Sequence, residues 1–159
     1  MRTLPSRKTE RRLSRSQRWV RALALLILAL ALYNFGRAAM AWLTAVRLPD
    51  LSLTVPPAYL AGAGIAWGAA FVACAVGLFR FRPWSRRATL TAATLYEAHA
   101  WAVHLLFDAS DYARQTWPRD LLLSGLLLAF VWGLLYRPGV RRLFGLPPAR
   151  RAPREARVA

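Results

Sequence analysis

Lysine is nearly absent from this chain. Lys8 is the only one, and arginine supplies the rest of 23 basic residues set against 7 acids. Cysteine is equally scarce: Cys74 stands alone, which excludes an intrachain disulfide and a thiolate-cluster metal centre. At the middle of an apolar run it reads as a small polarisable packing residue rather than a reactive thiol. Histidine occurs twice, as His99 and His104. Five positions on a helix turn the two rings about 140° apart, so they cannot ligate one haem iron within a single chain. There is no Gly-rich phosphate loop, no Ser/His/Asp arrangement and no paired-carboxylate motif of an ordinary hydrolase. These absences argue against an enzyme and imply no cofactor, although a lipid-modifying activity using Glu97, His104 and Asp108 remains a third reading.

What the chain has instead is apolar length. Hydrophobic residues make up 57% of it, yet its formal net charge is +16. The two coexist because the charges fall between four apolar runs, at about 19–46, 58–79, 88–107 and 118–136. A bilayer core about 30 Å thick takes about 20 mostly apolar residues per helix, which each run supplies. The expected fold is therefore all-α: a four-transmembrane-helix bundle over 19–137, flanked by a basic tail at 1–18 and a short interfacial helix with a disordered basic tail at 138–159. Pro56 and Pro57 precede the second run, Pro118 opens the fourth and Pro138-Gly139 closes it, positions where a missing N–H is harmless.

The arginines alternate along the chain. Residues 1–18 are basic, and the link around Asp50 carries one acid and no base. The turn Arg80 to Arg87 holds four arginines, the link from Asp108 to Asp120 is mixed, and the tail beyond Tyr136 is basic again. Under the positive-inside rule, that alternation puts both termini in the cytoplasm, here at a bacterial inner membrane. A secretory signal cleaved after Ala38-Ala39 is the competing reading. Apolar sequence resuming from Ala41 to Val46 favours an uncleaved span. Because the arginines flank spans, topology and anionic lipid head groups account for them, and nucleic acid is not an expected partner.

Within the spans, small and polar residues carry the remaining information. Gly64 and Gly68, with Ala70 and Cys74, would let the second helix approach its neighbours closely and sit centrally. In the fourth, Ser124, Gly125 and Gly133 are the obvious close-contact points. Thr94, Glu97, Trp101, His104 and Asp108 recur at spacings of 3, 4, 3 and 4, which places them on one helical face. Asn34 and Arg37 lie one turn apart on the first helix, and Arg37 falls at roughly the depth of His104 at about 1.5 Å per residue. Arg37 paired with Glu97 or Asp108 would lock the first and third helices together. The same groups would alternatively line a proton path. His104 and Asp108, with Asp111, are weak candidates for a metal site, since one histidine and two carboxylates fall short of a specific ligand set.

The stretch Gly77-Leu78-Phe79-Arg80-Phe81-Arg82-Pro83-Trp84-Ser85-Arg86-Arg87, with Tyr96-Glu97, Trp101 and Trp117-Pro118, resembles uncharacterised small bacterial four-helix integral membrane proteins. The resemblance covers about residues 55 to 140 and implies the fold but no activity, because an Arg-rich turn with one Trp is what any inside loop requires. DoxX-like proteins share the four-span plan, without a residue motif that would carry their function here. The expected role is a structural or accessory subunit of a membrane assembly or homo-oligomer. The alternative is a proton-coupled carrier or ion-binding protein built on Asn34, Arg37, Glu97, His104 and Asp108.

Overall fold

The computed structural model describes residues 14–48, 55–107 and 111–145, with 107, 111–117 and 120 described through their backbone alone. All its regular structure is helical: α1 (Arg15–Arg47), α2 (Pro57–Phe79), α3 (Pro83–Phe107), α4 (Asp111–Tyr136) and α5 (Pro138–Leu143). The expected tails at 1–13 and 146–159, and Asp108, lie outside the described residues. Ser14 starts α1 through a capping box with Gln17, in which each side chain satisfies the other's backbone N–H. At 33 residues α1 is about 50 Å long, well beyond one bilayer core. Pro118 lies inside α4 rather than at its start, so that helix begins a turn or two earlier than its apolar run.

α1 and α2 form the tightest pair. A Cβ on Gly64 would stand 2.8 Å from the Asn34 carbonyl and 2.9 Å from the Ala38 Cβ, while one on Gly68 would meet the Phe35 ring at 2.7 Å. Only hydrogen at those positions lets the two backbones approach this closely. Gly64, Gly68 and Cys74 are buried and Ala70 half-buried. The fourth helix departs from expectation, because Gly125 and Gly133 face open space.

The α2–α3 turn explains how the chain reverses. Phe81 N–H donates to the Leu78 carbonyl and Arg82 N–H to the Gly77 carbonyl, the paired bonds of a Schellman ending. Phe81 occupies the left-handed position with φ 51°, a place that usually takes glycine. Its ring lies 6.3 Å from that of Phe144, a packing contact a glycine could not make. Gly77 leaves room for Ser85 and Trp84. Nearby, Arg86 is only 7% exposed. Its Nε–H donates to the Leu135 carbonyl at 2.8 Å, and its guanidinium lies 4.5 Å over the Tyr136 ring. A cation thereby caps the negative end of α4.

Helix α5 differs from the expected lipid-surface helix. Val140 and Phe144 are 1% exposed, and Gly139 sits against Ser16, so α5 seals the end of the bundle. The packing of α5 against both α1 and α4 accounts for this burial. Gly145, at φ 70°, ends it. These contacts bring the start of α1 and the end of α4 to the same end of an up-down-up-down arrangement.

Among the described residues two helices, α1 and α2, rather than the four expected, are long and apolar enough to cross a membrane, and α4 adds a shorter apolar stretch, Leu121–Tyr136. In α3 the residues Arg86, Arg87, Glu97, His99 and His104 dilute the apolar sequence.

Candidate functional site

The polar residues of α3 separate onto two faces, and the helical turn dictates the division. Positions 96, 99, 100 and 103 recur at helical spacing and point toward α2. Positions 97, 101 and 104 lie round the cylinder from them. The expected run Thr94, Glu97, Trp101, His104 and Asp108 divides further in practice. Thr94 returns its hydroxyl to its own helix, at 2.9 Å from the Leu90 carbonyl. Glu97 Oε2 accepts a hydrogen bond from Ser124 Oγ of α4 at 2.6 Å. Trp101 and His104 meet edge to face with centroids 5.5 Å apart, in a shallow recess that also includes Ser124. This face therefore turns to α4.

The expected meeting of Arg37 with Glu97 does not occur. Among the described residues α1 and α3 make no backbone-level helix contact, since α2 joins them on one side and α4 on the other. Arg37 and Glu97 line different cavities. The Arg37 cavity is lined on α3 by Tyr96, His99, Ala100 and Val103 instead. Axial rise follows from residue number, whereas the facing direction depends on which helix packs where.

The Arg37 cavity is a polar recess of about 120 Å³ among α1, α2 and α3. Asn34, 2% exposed, lies on its α1 side and donates from Nδ2 to its own Leu30 carbonyl at 2.8 Å. On the opposite side Tyr59 Oη and His99 Nε2 are hydrogen-bonded at 2.8 Å. Trp67 packs edge to face with Tyr96 at 5.3 Å and against His99 at 5.7 Å. Arg37 itself is exposed, its guanidinium 5.9 Å from the Tyr33 ring. Tyr59, Trp67 and His99 were absent from the expected cluster. The only sequence signal for them was that His99 must face away from His104.

A second cavity of about 250 Å³ opens between α1, α3 and α4. Its walls are mostly Leu, Ile, Ala and aromatic side chains, with Glu97 and Thr89 as polar points. The Thr89 hydroxyl is buried beside the Cys74 thiol. Among the described residues no group of three or more His, Cys, Asp or Glu side chains converges as a metal site. The candidate pair His104 and Asp108 extends outside those residues. No protein-family model, curated protein or solved structure matches this chain.

Proposed function

We propose that the chain is a multi-pass bacterial inner-membrane protein with four spans and both termini cytoplasmic, acting as a structural or accessory subunit of a membrane assembly or homo-oligomer. Its exposure pattern supports the membrane placement. Only 33% of the most apolar stretch of α1 and 39% of that of α2 is buried, whereas apolar core helices of water-soluble proteins are mostly buried. Large apolar side chains such as Leu32, Leu106 and Leu122 point outward on three helices. The single observation supporting the structural role is the Glu97–Ser124 hydrogen bond. The one intramembrane carboxylate among the described residues is engaged in tying α3 to α4, as interhelical polar contacts do in lipid.

Orientation is tested by reporter fusions at residues 14, 52, 83 and 145. Cytoplasmic reporters at 14, 83 and 145 with an external one at 52 are expected, and any other pattern rejects the topology. Native mass spectrometry of the protein gently extracted from its own organism tests the role. Co-purifying chains or a defined homo-oligomer would support the subunit reading.

The runner-up, a proton-coupled carrier or ion-binding protein, is favoured by Glu97 reaching the cavity between α1, α3 and α4. Glu97→Gln separates the two readings. Lost proton or solute flux at unchanged stability would favour the carrier; unchanged flux in Glu97→Gln, with assembly weakened by Ser124→Ala, would favour the subunit. The arginine-rich end would also hold anionic lipid, at about 1 kcal/mol per basic residue near the surface. Truncated tails should then weaken association with anionic vesicles and leave neutral vesicles unaffected.

A further inference from the structure

We propose that the recess between α1, α2 and α3 is an oxyanion-binding site, in which Arg37 holds a carboxylate- or phosphate-type group against the Tyr59–His99 pair. The charge balance is the first argument. Arg37 carries a permanent positive charge, and no carboxylate among the described residues lines its cavity or pairs with it. Of the two carboxylates expected to neutralise it, Glu97 faces a different cavity and is bonded to Ser124, and Asp108 lies outside the described residues. The Arg37 guanidinium, exposed on one side and lining the recess beside Asn34, Tyr59 and His99, offers two parallel N–H bonds that an oxyanion can accept.

The donor count is the second argument. The hydrogen bond between Tyr59 Oη and His99 Nε2 leaves a donor free in either tautomer. If Tyr59 donates, His99 keeps its Nδ1–H. If His99 donates, the Tyr59 O–H is available. Asn34 spends one amide hydrogen on the Leu30 carbonyl and retains the second. The polar side chains on both sides of the recess can thus supply N–H or O–H groups, the complement of an anion.

Size restricts the ligand. The recess measures about 120 Å³, below the roughly 150 Å³ of a cavity that accepts benzene. A group as small as acetate fits, and a sugar or nucleotide does not. Trp67 and Tyr96 offer an apolar wall for a short alkyl portion. The oxyanion has two possible sources: a small soluble carboxylate, or the phosphate of a lipid head group reached through the exposed side of Arg37. The inference goes beyond the membrane reading and does not depend on it.

The test uses the full chain purified in a maltoside detergent, which supplies neither carboxylate nor phosphate. Equilibrium dialysis with labelled acetate, at ionic strength matched by sodium chloride, measures binding, and a parallel series adds dioleoylphosphatidylglycerol. Saturable acetate binding that Arg37→Gln weakens at least about tenfold is expected, the loss that removing a charged hydrogen-bond partner produces. Tyr59→Phe should weaken it less. Displacement of acetate by the phospholipid, or phospholipid binding alone with the same loss in Arg37→Gln, assigns the site to a lipid phosphate. Binding of neither probe to the wild type, or equal binding by Arg37→Gln, overturns the proposal. Should Arg37→Gln fail to fold, absent acetate and phospholipid binding by the wild type still overturns it, and weakening by Tyr59→Phe alone supports it. The reporter-fusion topology involves no anion, so failure here and failure of the membrane reading are separately visible.

Discussion

The α1–α2 hairpin and helix α4 are both apolar, yet they join the bundle by different means. The hairpin is held by absent side chains: Gly64 and Gly68 let Asn34, Phe35 and Ala38 come within contact distance. Helix α4 is rich in leucine, its glycines touch nothing, and its leucines at 121, 122, 123, 126 and 127 are exposed. Its last two turns pack Val131, Leu134 and Leu135 into the core, and polar contacts add to them, from Arg86 to the Leu135 carbonyl and from Ser124 to Glu97. Apolar composition alone does not make an interface, since the leucines in the first half of the α4 apolar stretch stay exposed. Close backbone approach, fitted apolar contacts and directed hydrogen bonds do. The cavity between α1, α3 and α4 marks where none of these operates.

Substitutions can invert or sharpen this contrast. Gly64→Leu should have the largest effect, destabilising by about 3 kcal/mol or preventing folding, because the colliding atoms belong to the α1 backbone and Ala38. Reversible unfolding in mixed micelles would measure it. A loss below about 1 kcal/mol would mean the hairpin is not the tight pair described.

Arg86→Leu should follow, at about 2 kcal/mol, since it removes a charged hydrogen bond and the contact over Tyr136. The exposed neighbour Arg87→Leu should change little in the same assay. Equal losses in both would show that Arg86 acts only through the charge of the turn.

Ser124→Ala should cost about 0.6 kcal/mol, the usual worth of an interhelical hydrogen bond in a membrane protein. Glu97→Gln, which keeps an acceptor for Ser124, should cost less in stability. A larger loss in Glu97→Gln would mean that the charge itself supports the fold. Gly125→Ala should have the smallest effect, within about 0.5 kcal/mol, because its Cβ enters open space. A clear loss, or a changed oligomeric state, would reveal a neighbour on that face of α4.

The expected residues show where sequence reading reached and where it stopped. Gly64 and Gly68 were legible as close-approach positions because four-residue spacing keeps them on one stripe, and both lie in the α1 interface. Gly125 and Gly133 had the same composition signal and no partner, since composition does not say which face meets another helix. By its spacing Arg86 is one of four orienting charges of the turn, and nothing there marks it as the cap of α4. His99 stands about 140° round the helix from His104 and so outside the expected polar face. Its own face meets α2, where Tyr59 and Trp67 complete the recess.

By itself the sequence determined the helical class, the alternation of arginine along the chain and the spacing of polar residues along each helix. Those depend on periodicity and on a fixed rise per residue, which are local properties of the chain. The tertiary structure alone decided that Glu97 answers Ser124 rather than Arg37, that Arg86 is buried over Tyr136, and that Val140 and Phe144 close the bundle. Each is a matter of rotation about a helix axis. That angle is set by packing between segments distant in sequence, so no single run of residues contains it.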